Sequence, residues 1–140
     1  MTRIDFYSNA EPKLNVACQL AAKAVQQQLR VLIFSPDAAI AGQIDRQLWT
    51  WQATGFLPHC FVDDPLAADT PILISRSDDS APHDQVLMNL SDASPPSFSR
   101  FQRLIELVGS EESDKQSGRA RFRFYRDRGY EIVHHDLARP

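Results

Sequence analysis

Short apolar runs alternate with segments of helical periodicity along the first third of this 140-residue chain. Residues 3–7 alternate polar and apolar side chains, which predicts a strand. Apolar positions from Leu14 to Val25 then recur at spacings of three and four, which predicts an amphipathic helix starting near Pro12. Residues 30–34 form a nearly continuous apolar run, which is typical of a strand covered on both faces in a parallel sheet. The pattern therefore predicts a strand–helix–strand unit.

The middle of the chain continues the same alternation. A second helix is predicted to start at Ser35 and to end within residues 51–55. Residues 56–62 predict a short strand or an extended segment. Residues 71–75 and 86–90 predict two further short, buried strands, because both are apolar and are bounded by residues common in turns.

The last third of the chain is predicted to hold two helices and a strand. Phe98 to Val108 shows helical spacing and is predicted as a third helix that stops at Gly109. The acidic residues 110–114 fit the first turn of a fourth helix, where negative charge suits the helix dipole. Residues 130–134 predict a final strand.

Strands that alternate with helices indicate the fold class. We expect an α/β fold with a Rossmann-like, doubly wound, mostly parallel sheet flanked by helices, and an antiparallel edge strand stays possible. No linker or repeat divides the chain, so residues 1–140 are expected to form a single domain.

Composition narrows the class of protein. The hydrophobic fraction of 43% and the charged fraction of 24% are those of an ordinary globular domain. Cys18 and Cys60 lack the spacing of a disulfide framework or a zinc site. No apolar run approaches the roughly 18 residues that span a bilayer, and no signal peptide precedes the first strand. A cytoplasmic protein without a membrane partner is therefore expected.

Motifs for nucleotide binding and for hydrolysis are missing from the sequence. The first strand–helix turn, residues 7–12, has no glycine for a dinucleotide, and neither a phosphate loop nor a nucleophile elbow occurs. His59 and Cys60 could be a base and a nucleophile, but neighbours on a strand point to opposite faces. His134, His135 and an adjacent aspartate are better explained as strand-end polar residues than as metal ligands. No catalytic residue, cofactor or metal is predicted, which favours an interaction module, although a degenerate nucleotide-using enzyme stays an alternative.

The charge of the chain is unevenly distributed. Residues 115–130 carry six bases against one acid, a net charge of +5, whereas the whole chain carries −3 and the remainder therefore −8. A basic block on an otherwise acidic domain predicts a local anionic partner, either phosphate or an acidic peptide.

The basic block coincides with the predicted last helix. The following residues share one stripe or its edges: Lys115, Arg119, Phe122 and Arg126, with Arg123 at the edge and Tyr125 on the other flank. A solvated arginine face with buried aromatic rings would explain this pattern. Alternatively, the bases hold a terminal carboxylate while an apolar side chain enters a pocket lined by Val108 and Phe122. Bases beside rings also suit single-stranded nucleic acid, so direct binding of nucleic acid is a further alternative.

A second cluster of aromatic residues lies between residues 48 and 59. Trp49 is in phase with the apolar face of its helix, so burial in the core would explain it. Trp51 and Phe56 are harder to bury together, and aromatic residues left at a surface are common anchors of protein interfaces.

Several of these segments together resemble the chi subunit family of bacterial DNA polymerase III, over nearly the whole chain. The resemblance rests on residues 5–7, 30–33, 45–49, 56–59 and 119–130. It implies a Rossmann-like domain without enzymatic activity, associated with the clamp loader. Such a domain pairs with the psi subunit, binds the acidic C-terminal tail of single-stranded-DNA-binding protein and meets DNA only indirectly.

The resemblance also implies two sets of site residues. The tail-binding set is Val108, Lys115, Arg119, Phe122 and Arg123, with Tyr125 and Arg126 as neighbours. The psi-facing set is Trp49, Phe56, Pro58 and His59. Phe122 stands where the family carries tyrosine, and Arg123 where it carries lysine. Both departures keep an apolar wall and a cation.

Overall fold

The alternation of strands and helices predicted from the sequence is present in the computed structural model, which describes residues 1–51 and 57–138. The strands are β1 (Arg3–Ser8), β2 (Val31–Phe34), β3 (His59–Phe61), β4 (Ile72–Ser75), β5 (Val86–Asn89), β6 (Arg103–Leu107) and β7 (Ile132–Asp136). The α-helices are α1 (Lys13–Gln26), α2 (Ala38–Trp49) and α3 (Glu112–Asp127). None of these helices is both long and apolar enough to cross a membrane.

All seven described strands form one sheet, in the order β3-β4-β2-β5-β6-β1-β7. Every described pairing is parallel, so the doubly wound α/β prediction is confirmed and no antiparallel edge occurs among these strands. Helices α1 and α2 pack on one face of the sheet, and α3 packs on the other. Strands β2, β4 and β5 are buried along their whole length, as expected for strands covered on both faces.

The predicted helix over residues 98–108 is wrong. Phe98–Arg100 form one 3-10 turn, and Arg103–Leu107 form β6 between β1 and β5. The apolar residues in this segment recur at spacings of three and four, but residues 104–108 are also all buried and apolar except for Glu106, which suits a central strand. Residues 103–107 form a strand because they pair with β1 on one side and with β5 on the other. Val108 therefore lies at the carboxyl end of a strand rather than near the end of a helix.

Helix α3 begins where the acidic segment predicted a helix start. Glu112 and Asp114 lie in its first turn, where they face the positive end of the helix dipole. The inward face of α3 is unusual, because its buried residues are Gly118, Arg121 and Tyr125. One helix therefore presents bases to solvent and also sends a base and a phenol into the protein interior.

Candidate functional site: a groove beside the last helix

A groove of about 410 Å³ lies between α3 and the carboxyl ends of β1, β6 and β7. Val108, Lys115, Arg119 and Phe122 line it. The structure thus brings together four residues that the sequence analysis assigned to one binding surface, from the end of β6 and from two turns of α3.

The floor of the groove is apolar. The rings of Phe6 and Phe122 meet edge to face with centroids 5.4 Å apart, and Val108 is buried beside them. A Cβ atom on Gly118 would come within 2.7 Å of Cγ2 of Val108, so glycine allows α3 to approach the end of β6 this closely. The result is a shallow apolar surface that could accept one apolar side chain.

The rim of the groove is basic. Lys115 is half-buried and makes no ion pair with any residue in the described ranges. Arg119 is exposed, and its Nη2 lies 3.1 Å from Oε1 of Glu112, two turns earlier on the same helix. Exposed ion pairs of this kind contribute about 0–1 kcal/mol, so a partner's carboxylate can replace Glu112 at little cost.

Two further predicted bases lie on α3 but do not line the groove. Arg123 is exposed. Arg126 is also exposed, and its Nη2 lies 3.3 Å from Oδ1 of Asp127. Both add positive charge to the helix surface without contributing to the cavity itself.

Tyr125 was predicted as a neighbour of the binding surface, but the structure places it inside the protein. Its side chain is fully buried, and its hydroxyl donates a 2.6 Å hydrogen bond to Oε2 of Glu106. Arg121, counted among the bases of the helix, is likewise internal, with Nε 2.9 Å from Oε1 of Glu106. Both residues follow Gly118 along the inward face of α3, which the sequence pattern did not distinguish from the flank of the exposed stripe.

A buried polar network joins α3 to the sheet. Glu106 accepts hydrogen bonds from Arg121, Tyr125 and the side-chain amide of Asn89. Burial raises the pKa of Glu106, and the positive charge of Arg121 only partly offsets this effect. Burial and the nearby Glu106 also raise the pKa of Tyr125. Because Arg121 makes several hydrogen bonds and Tyr125 also bonds to Glu106, this network fixes the position of α3 and hence of Phe122 in the groove.

Sequence reasoning missed the residues that β1 and β7 contribute to the groove. Phe6, Ser8, Asn9 and His134 line it, and Nε2 of His134 lies 2.8 Å from Oγ of Ser8. The pattern identified β1 and β7 as strands, but nothing local shows that two segments so distant in sequence are neighbours in the sheet. Because β1 and β7 are parallel neighbours, their carboxyl ends lie side by side at one edge of the sheet. The residues at these two strand ends form the side of the groove that sequence reasoning missed.

The second predicted surface surrounds the end of α2. Trp49 is 58% exposed, so it is not the core residue that its phase in the helix suggested. Its ring lies edge to face with that of His59, with centroids 4.8 Å apart. His59 is buried, with Nδ1 2.7 Å from the carbonyl oxygen of Leu57 and Nε2 3.3 Å from Oδ1 of Asp45. Pro58 is half-buried, and Phe56 lies outside the described residues.

The rejected catalytic and metal candidates are separated in space. His59 contacts Trp49 on the side of α2, whereas Cys60 packs with the core beneath α3. His134 faces the groove, whereas His135 bonds to Asp5 on the other face of the sheet. Within the described part of the chain, no group of three His, Cys, Asp or Glu side chains is placed to hold a metal ion.

Comparison with known proteins agrees with the resemblance in the sequence. The family described as DNA polymerase III chi subunit, HolC, matches residues 1–133. DNA polymerase III subunit chi of Pseudomonas aeruginosa is 36% identical over 143 aligned positions, covering 99% of each chain. The subunit chi of Escherichia coli is 27% identical and covers 94% of this chain and 88% of its own. The chain belongs to the DNA polymerase III chi subunit family.

Proposed function

We propose that this chain is a non-catalytic accessory subunit of bacterial DNA polymerase III. It works in the cytoplasm within the clamp-loader assembly, where it pairs with the psi subunit. It also binds the acidic C-terminal tail of single-stranded-DNA-binding protein, and so meets DNA only through its partners. No cofactor is needed for this role. The observation that carries the proposal is the groove, in which an apolar floor lies directly beside the cations of Lys115 and Arg119.

The groove suits a peptide that ends in an apolar residue preceded by acids. The apolar side chain packs on Phe122 and Val108, while carboxylates bind Lys115 and Arg119. Arg123 adds charge next to this surface and attracts the acidic segment at longer range. Because these bases are at least partly exposed, added salt weakens the interaction.

The biological effect of such binding is tethering. A single peptide contact of this size is weak, but the tail and this subunit belong to larger assemblies on the same DNA. Linking them raises the effective concentration of one partner near the other, so weak contacts keep the polymerase assembly close to coated single-stranded DNA.

Titration of the tail peptide by calorimetry tests the groove. Lys115→Glu and Arg119→Glu should each weaken binding by at least about tenfold, since they replace an attractive charge with a repulsive one. Lys23→Glu is the matched control, because Lys23 is an exposed lysine on α1 across the sheet and its replacement should leave the affinity unchanged. Equal affinity in all four proteins would refute the site. Binding of bare single-stranded DNA but not of the peptide would favour the direct nucleic-acid binder.

The psi contact is assigned to the surface formed by Trp49, His59 and Pro58, together with Phe56. An exposed indole packed against a buried imidazole is a typical anchor for a protein partner, since it offers a large apolar area already held in place. Trp49→Ala and Phe56→Ala should reduce co-purification of psi, whereas Lys115→Glu should not. Unchanged recovery of psi with both alanine variants would count against this surface.

A further inference from the structure

His134 and Ser8 lie in the same groove as Lys115 and Arg119, yet the proposed function assigns them no role. His134 is exposed on β7, and its register partner on β1 is Phe6 of the groove floor. The Nε2 atom lies 2.8 Å from the Ser8 hydroxyl, which holds the imidazole ring against the groove.

We propose that His134 is a specificity-determining residue that binds a carboxylate of the acidic tail in its protonated form, so that the groove holds the tail more tightly at mildly acidic pH. This inference rests on the proposed function. A protonated imidazole donates from both nitrogens. The Ser8 hydroxyl can accept one of these hydrogen bonds, which leaves Nδ1–H for the ligand.

The charges around His134 couple its protonation to binding. Lys115 and Arg119 face the groove from α3, and a third positive charge beside them is unfavourable while the groove is empty. A bound carboxylate removes that repulsion, so peptide binding and proton uptake favour each other. The residues that line the groove from β1 and from the end of β6, Phe6, Ser8 and Val108, are uncharged.

The one acid near His134 on its own strand is held by another residue. Oδ1 of Asp136 accepts a 2.8 Å hydrogen bond from Nδ2 of Asn9 and a 3.0 Å hydrogen bond from the amide of Ala138. His135 lies on the opposite face, against Asp5 and Tyr7. Among the described residues that line the groove, His134 is the one imidazole, and no carboxylate lines the groove beside it.

Calorimetry with an acidic peptide that ends in an apolar residue tests the proposal. Wild-type protein should bind about threefold more tightly near pH 6 than near pH 8, as expected for one added exposed ion pair. It should also take up protons on binding, which titration in buffers of different ionisation enthalpy measures. His134→Gln keeps a hydrogen-bonding group beside Ser8 and should remove both effects. His134→Lys should bind tightly at both pH values.

The possible outcomes separate this inference from the proposed function. If His134→Gln keeps the pH dependence of the wild type, or if the wild type shows none, the inference is overturned while the tail site stands. If the wild type binds no peptide at either pH, the proposed function fails and the inference fails with it. His134 is exposed at a sheet edge, so both variants should fold, and thermal unfolding checks this.

Discussion

Two buried carboxylates on neighbouring strands, Asp5 of β1 and Glu106 of β6, have opposite electrostatic behaviour. Both side chains are fully buried, but they lie on opposite faces of the sheet. Burial raises the pKa of each. At Asp5, hydrogen bonds from His135 and Arg103 and the charges of Arg103 and Arg3 outweigh burial, so the pKa is lowered. At Glu106, Arg121 is the one charged partner, and the pKa stays raised.

Access to water explains why the two clusters are built differently. The cations around Asp5 reach solvent, since the side chains of Arg3 and Arg103 are 54% and 26% exposed, so both can gather there while remaining hydrated. Arg121 is 3% exposed, and it shares Glu106 with two neutral donors, Tyr125 and Asn89. Burial alone therefore does not decide the sign of a pKa shift. Hydrogen bonds to the carboxylate and nearby positive charges together decide whether the effect of burial is outweighed, as it is at Asp5.

Each cluster also holds one side of the groove. Glu106 binds Arg121 and Tyr125 and so fixes α3. Asp5 binds His135, whose ring stacks on Tyr7 at 4.3 Å, and this contact fixes β7 against β1. A change in either cluster should therefore affect the binding of the tail as well as stability.

Arg121→Ala should have the largest effect, because it leaves a buried carboxylate without its cation. We expect a loss of about 3–5 kcal/mol in the free energy of unfolding, measured by denaturant titration. Arg119→Ala removes an exposed cation from the same helix and should cost less than about 1 kcal/mol. Equal stability of the two variants would show that the Glu106 network does not hold α3 in place.

The pH dependence of stability should have opposite signs in Asp5→Asn and Glu106→Gln. Because the pKa of Asp5 is lowered by folding, Asp5 adds to the free energy of unfolding at pH values above its pKa in the unfolded chain. This stabilisation is lost as the pH falls through the pKa of Asp5 in the folded protein. Because the pKa of Glu106 is raised by folding, Glu106 adds to the free energy of unfolding at pH values below its pKa in the unfolded chain. This stabilisation is lost as the pH rises through the pKa of Glu106 in the folded protein. Relative to wild type, Asp5→Asn should therefore lose most stability near neutral pH, and Glu106→Gln should lose most in acid.

Thermal unfolding of the three proteins between about pH 3 and pH 8 measures this difference. Parallel curves for the two variants would mean that the two carboxylates share one electrostatic environment, contrary to the structure.

Glu112→Gln should have the smallest effect and extends the comparison to an exposed carboxylate. Glu112 is paired with Arg119, and a tail carboxylate would compete for the same guanidinium group. Removing its charge should therefore tighten binding of the acidic peptide by about twofold, with little change in stability. Weaker binding after this substitution would mean that Glu112 orients Arg119 rather than competing with the ligand.

Local pattern predicted a large part of this molecule. The first strand–helix–strand unit, the basic α3 and the groove residues Lys115, Arg119 and Phe122 follow from periodicity and charge, whereas Val108 was assigned to the site through the resemblance to the chi family. Residues 98–108 were predicted incorrectly, because their spacing fits a helix and a buried strand alike, and only the strands on either side select between them. Tyr125 was misplaced because a stripe and its flank differ by a small rotation about the helix axis.

The sequence pattern could not predict that β7 contributes to the groove, and the reason differs from that for residues 98–108. The position of a parallel strand in a sheet depends on pairing with a distant segment, which no local periodicity records. His134 therefore looked like an ordinary polar residue at a strand end until β1 was found beside it.

The all-parallel sheet has a practical consequence for experiments with labels. All seven described strands run the same way, so the start of β1 and the end of β7 lie at opposite ends of the sheet, separated by about 20 Å, the length of a six-residue strand. A fluorophore or affinity label attached after β7 would lie next to the groove and could occupy it, above all if it carries acidic residues. The same label placed before Arg3 would leave the groove accessible.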